Sequence, residues 1–161
     1  MKISCNRLRE LYLEAGLIVS QNALGLSSDI KLNKLAASAK SILAKEVEPD
    51  LKVIEDRRND VIDQVRLDYI DKPQTDAVNA QFRQELSQHP GWQEVTAQTI
   101  ETWEKEVEFD FTPVPVKIKD EMSDKFKSEP VEVNEYGMIH KINPYTAFLR
   151  MIEEGFITVE E

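Results

Sequence analysis

Between Leu32 and Tyr69 the chain holds no glycine, and its apolar residues recur at helical spacing. As one helix, at about 1.5 Å per residue, this stretch would reach roughly 60 Å. That exceeds the width of a compact domain of 161 residues. Such a helix must be covered by partner helices, from this chain or another. The stretch therefore predicts a scaffold or binding protein rather than an enzyme.

The stripe runs through Leu32, Leu35, Ala39, Ile42 and Leu43, then Val47, Leu51, Ile54, Val61 and Val65. From Val47 onward the steps approach a heptad, the spacing of a coiled coil. Between Ile42 and Val47 the phase slips, and Arg58 takes the heptad position between Ile54 and Val61. A polar residue there argues against a uniform zipper. Ser28 or Asp29 is the expected N-cap. Pro49 lies inside the stripe and costs about 3 kcal/mol in a helix interior. It either kinks the helix or breaks it and sits in the first turn of a second one. The prompt return of the stripe favours the kink. Charge also changes along the stretch: Lys31, Lys34, Lys40 and Lys45 come first, and acids dominate after Glu46. This opposes the helix dipole, so packing must stabilise the helix. No aromatic residue interleaves the lysines, so they form a solvated or partner-facing stripe rather than a nucleic-acid site.

Met1–Ser4 is expected as a strand and about Cys5–Asn22 as a helix. Thr75 caps a helix to Gln88 with Val78, Phe82 and Leu86 on its buried face. Trp92, Val95, Ile100 and Trp103 mark another helix, with Trp103 in the core. Val107–Phe111 alternates apolar and acidic residues, the pattern of a half-buried strand. Val116 and Ile118 continue as extended chain, and Val131 with Val133 adds a further strand. Asn143 caps a final helix with Pro144 at its start and Gly155 at its end. A last extended piece leads to the acidic Glu160–Glu161 terminus.

Apolar residues are 41% of the chain, charged residues 31%, and glycines number only five, which suits helices with wide solvated faces. The expected fold is mainly α, of the α+β class. A long kinked helix packs on shorter helices as an elongated bundle or helical hairpin. A small antiparallel sheet at one end joins the N-terminal strand to Val107–Phe111. The expected organisation is one domain over 1–161, with the helical arm at about 29–71 and the strand-containing end at about 1–5 and 106–161.

Thirty acidic residues against twenty basic ones give a net charge of −10. An acidic surface repels phosphate, so no nucleic-acid binding is expected, and imitation of DNA is the lesser alternative. The single cysteine, Cys5, fits a reducing compartment. His89 and His140 stand at no metal-ligand spacing and have no adjacent nucleophile or orienting carboxylate, so both read as bystanders. Glu46, Glu48 and Asp50 point to different sides of a helix and do not converge on a cation. No run of about 18 apolar residues predicts a membrane span, and no secretion signal is expected. The reading holds no catalytic residue, no cofactor and no metal.

An opening strand and helix lead into a helical arm carrying Glu55–Asp56–Arg57–Arg58. A helix with Phe82–Arg83–Gln84–Glu85–Leu86 follows, then the strand Glu106–Asp110 running into Pro113–Val114–Pro115–Val116, then a short helix rich in Leu and Ile. This layout resembles small helical proteins of tailed bacteriophages, in families of unknown function. Pro49 and the segment Trp92–Trp103 depart from that pattern. The resemblance implies a phage origin and supplies no activity.

The expectation is a non-enzymatic phage protein in the host cytoplasm or incorporated in the virion. It acts by protein–protein contact, as a virion or assembly component, with itself or another protein. The alternative is an inhibitor of a host enzyme or defence complex, working through the acidic surface. A small enzyme is the least favoured class. The expected contact residues are Arg58, Val61, Val65, Tyr69 and Trp92. The arm offers more helical surface than the chain can cover, so Val61, Val65 and Tyr69 are expected uncovered.

Overall fold

The structure is a computed structural model and describes residues 1–127 and 129–160. Glu161, expected in the acidic terminus, lies outside the described residues. The fold is mainly α with small two-stranded sheets. In chain order the elements are β1 (Lys2–Ser4), α1 (Cys5–Ser20), α2 (Leu26–Glu46), α3 (Glu48–Arg66), a 3-10 turn (Leu67–Tyr69), α4 (Asp76–Gln88) and α5 (Pro90–Glu104). Then follow β2 (Glu106–Glu108), β3 (Val114–Lys117), α6 (Met122–Lys125), β4 (Val131–Glu135), β5 (Met138–Ile142), α7 (Pro144–Glu153) and β6 (Ile157–Glu160). The single domain expected over 1–161 divides by its contacts into two compact units. One is Met1–Leu43 with Glu106–Glu161, the other Ala44–Lys105.

In the first unit β1 and β2 pair antiparallel, with Ile3 opposite Val107. The terminal amino group of Met1 donates to the Phe109 carbonyl at 3.0 Å, and the Phe109 N–H donates to Met1 at 2.8 Å, which prolongs the ladder. The pleat buries Ile3 and Phe109, half-buries Val107 and Phe111, and leaves Glu108 and Asp110 in water. Ser4 caps α1 by accepting from the Arg7 N–H at 3.1 Å. α1 buries Cys5, Leu8, Leu11, Ala15 and Ile18 and packs on α7. α7 is capped by Asn143, which accepts from the Thr146 N–H at 3.0 Å, with Pro144 in its first turn. Gly155, at φ +79°, ends it in the left-handed region that glycine reaches without strain.

Two pairings in this unit were not anticipated. β3 and β6 pair in parallel, Val114 opposite Ile157, so two segments read only as extended chain form a sheet. β4 and β5 form a hairpin with Glu135 opposite Met138. Tyr136 and Gly137, at φ +52° and +72°, supply the two positive φ angles that a tight two-residue turn requires.

Two expectations for the long helix are corrected. The first concerns its start: it begins at Leu26, after Gly25, rather than at a Ser28 or Asp29 cap. The Ser28 hydroxyl donates instead to the Pro115 carbonyl at 3.1 Å. The second concerns Pro49, where the chain takes the break and not the kink. α2 stops at Glu46, Val47 turns at φ −118° and ψ −48°, and α3 starts with Pro49 in its first turn. Proline has no N–H to donate and its ring clashes with the preceding turn, so restarting the helix is cheaper than crossing it. The Val47 carbonyl still accepts from the Leu51 N–H at 3.0 Å.

In the second unit α3 packs on α4 and α5, and these pack on each other. Ile54, Val61, Val65, Val95 and Trp103 are buried. The α4 face of Val78, Phe82 and Leu86 is half-buried, less covered than its spacing predicts. Thr75 caps α4, and His89 caps α5 by accepting from the Gly91 N–H on Nδ1 at 3.0 Å. Gly91 lets the first turn of α5 sit against α3, since a Cβ there would stand 2.8 Å from Val61 Cγ2.

Phe109→Ala is expected to cost about 3–5 kcal/mol in chemical denaturation, as for a large aromatic in a core, whereas Glu108→Lys costs little. Gly91→Ala is expected to lose about 1–3 kcal/mol through overpacking. Equal, small losses at Phe109 and Glu108 would remove the pleat assignment.

Candidate functional site

The five expected contact residues all fall in the second unit, and the structure distributes them differently from the expectation. Arg58 is exposed and pairs weakly with Glu55 at 3.8 Å, one turn away. Val61 and Val65 are buried, which corrects the reading of them as uncovered. The covering surface is α4 and α5, which this chain supplies itself. Tyr69 is half-buried: its ring meets Phe82 edge-on at 5.6 Å, and its hydroxyl donates to Glu85 Oε2 at 2.6 Å. The Lys72 ammonium lies 4.4 Å from the same ring centroid. Trp92 is half-buried in the first turns of α5.

Of the exposed large apolar side chains in this unit, which include Val53 and Ile100, the two most exposed lie beside these residues. Leu67 and Ile70 are 69% and 70% exposed at the end of α3. They stand three residues apart across a 3-10 turn, where such positions share one edge. Asp68 and Asp71 flank them. Periodicity missed this edge because Leu67 lies two residues past Val65 and falls off the stripe. The available signal was an off-stripe leucine set among aspartates.

In the first unit a network of charges ties α1 to α7. Arg7 donates to Glu154 through Nε at 2.9 Å and Nη2 at 2.6 Å, and to Glu14 Oε2 at 2.7 Å. Arg150 donates to Glu154 Oε1 at 3.0 Å and stands 3.3 Å from Glu14 Oε1 and 3.1 Å from Glu10 Oε2. Burial pushes the Glu14 carboxyl above the usual range, against the pull of Arg7 and Arg150. Burial also acts upward on Glu154, but hydrogen bonds from Arg7 and Arg150 outweigh it and hold that carboxyl below the usual range. A cleft of about 550 Å³ adjoins the network and is lined in part by Glu14, His140 and Asn143. Burial, followed by the charge of Arg9, holds the His140 imidazole below its usual value, so it stays neutral near pH 7. The carboxylates of this cluster face arginines, an arrangement that fixes two helices. Sequence reading missed the cluster. Its signal was Arg7, Glu10 and Glu14 recurring along one side of an otherwise apolar helix.

Among the described residues no three His, Cys, Asp or Glu side chains form a group able to hold a metal ion. Glu46, weighed as a cation ligand, pairs with Lys105 at 2.8 Å, which lowers its carboxyl pKa. No helix among the described residues is long and apolar enough to cross a membrane. Comparison with protein-family models, curated proteins and solved structures returns no match.

Because Glu154 has a lowered folded pKa, its contribution to stability is present above the ordinary value of 4.5 and is lost as pH falls through the folded value. Glu154→Gln is therefore expected to lower Tm at neutral pH. Its deficit against wild type should shrink as the solution is acidified. A deficit independent of pH, in thermal melts across that window, would refute the assignment.

Proposed function

We propose that this is a non-enzymatic protein of tailed-bacteriophage type that works by protein–protein contact, as a virion or assembly component. The observation that carries the reading is the Leu67–Ile70 edge. Two large aliphatic side chains three residues apart stand in water at the end of α3, where the stripe residues Val61 and Val65 are covered. Burying each in a partner contributes about 1.5–3 kcal/mol. The flanking aspartates select a partner that brings basic residues around an apolar stripe. A second copy of the chain would bring the same acids face to face, so a different protein fits better.

The acidic surface favours inhibition of a host enzyme as the second reading. Residues 44–105 hold fourteen acidic side chains against eight basic ones. Such an inhibitor would bind by charge, and its complex would dissociate as salt screens the field.

Leu67→Glu with Ile70→Glu separates the two. The double variant is expected to keep its helical circular dichroism, because both side chains are already exposed. Its copy number in purified particles should fall at least about tenfold, the equivalent of about 1.4 kcal/mol. Wild-type copy number in the variant, or no wild-type protein in particles, would remove the virion reading. A salt-sensitive complex with a host enzyme that the double variant retains would support the inhibitor instead.

A further inference from the structure

We infer that the first unit carries a strand-addition groove for an extended acidic segment of a protein partner. The groove holds about 700 Å³. One wall is the α2 face that carries Lys31, Lys34 and Leu35, spaced as one side of a helix. The other is the run Asp110–Phe111–Thr112 between β2 and β3.

Three observations converge on this occupant. The first is backbone: among the described residues no main-chain hydrogen bond engages Asp110, Phe111 or Thr112, although paired strands stand on both sides. Backbone N–H and C=O groups seek partners, and an unpaired run joining two strands offers its groups to another strand. Pro113 and Pro115 lack N–H donors and end the template, which limits it to a short segment. The second is charge. In a chain of net −10, Lys31 and Lys34 face the groove, and no ion pair engages either among the described residues. Asp110 is the opposing charge on the far wall, so the partner's acids are drawn to the α2 side. A strand free to shift by one residue can turn its acids to that face. The third is the apolar floor, where buried Leu35 and half-buried Phe111 offer contact to an aliphatic residue of the same segment. This groove lies in a different unit from the Leu67–Ile70 edge and does not depend on it.

The test uses the full chain and a fluorescein-labelled peptide of alternating glutamate and valine, read by anisotropy. Three controls accompany it: the lysine–valine counterpart, a backbone N-methylated version, and Lys31→Glu with Lys34→Glu in the protein. Wild-type protein is expected to bind the acidic peptide, more weakly as salt rises. The double charge reversal should weaken binding at least about tenfold. The lysine peptide and the N-methylated peptide should not bind. Equal binding of the N-methylated peptide would leave ionic attraction alone and overturn strand addition. No binding of the acidic peptide, or unchanged binding to the reversed variant, would overturn the site. Wild-type self-association that the reversed variant loses would assign the groove to a second copy and overturn the proposed occupant.

Discussion

Position 49 has no amide proton, and the architecture follows from that absence. A helix continuing through Pro49 would leave the carbonyl of Lys45 without its donor and press the ring into the preceding turn. The chain avoids this by ending α2 at Glu46 and restarting at Glu48, with the proline where no donor is needed. The restart frees α3 to take its own partners. Those partners are α4 and α5, and their cover over Val61 and Val65 turns a predicted interaction face into a core.

Most elements were legible in the sequence because their signals are local. Thr75, Asn143, Pro144 and Gly155 act through backbone groups a few residues away, and the alternation at Val107, Phe109 and Phe111 is a property of five consecutive residues. Misreadings came from long-range choices. The parallel pairing of Val114 with Ile157 joins segments that each look like unpaired extended chain. The fate of Val61 turned on which segment would cover it, and Gly91 is the residue that lets α5 do so. The sequence reading expected Val61 and Val65 uncovered near the end of α3, whereas the structure buries both and leaves Leu67 and Ile70 in water. A periodic stripe marks what a helix buries, so residues left exposed stand outside it.

The first unit relies on a different device. Arg7 and Arg150 lie between three carboxylates, and each guanidinium serves more than one of them. Removing one member of such a cluster leaves the others desolvated without full compensation, so its cost exceeds that of one exposed pair. The cluster couples the beginning of the chain to its last helix, while the β1–β2 ladder couples the same beginning to the strand that follows α5.

These couplings bear on how the protein is made. The second unit is continuous in sequence, from Ala44 to Lys105, whereas the first is assembled from the two chain segments on either side of it. As synthesis proceeds from the N-terminus, β1 and α1 emerge long before β2, α7 and β6 exist to receive them. The main partners of α3, α4 and α5 lie within one stretch, and those contacts close early at low loop entropy. The Glu46–Lys105 pair brings the two ends of that stretch together. An insertion whose ends meet can be completed, lost or exchanged while its host waits for the rest of the chain.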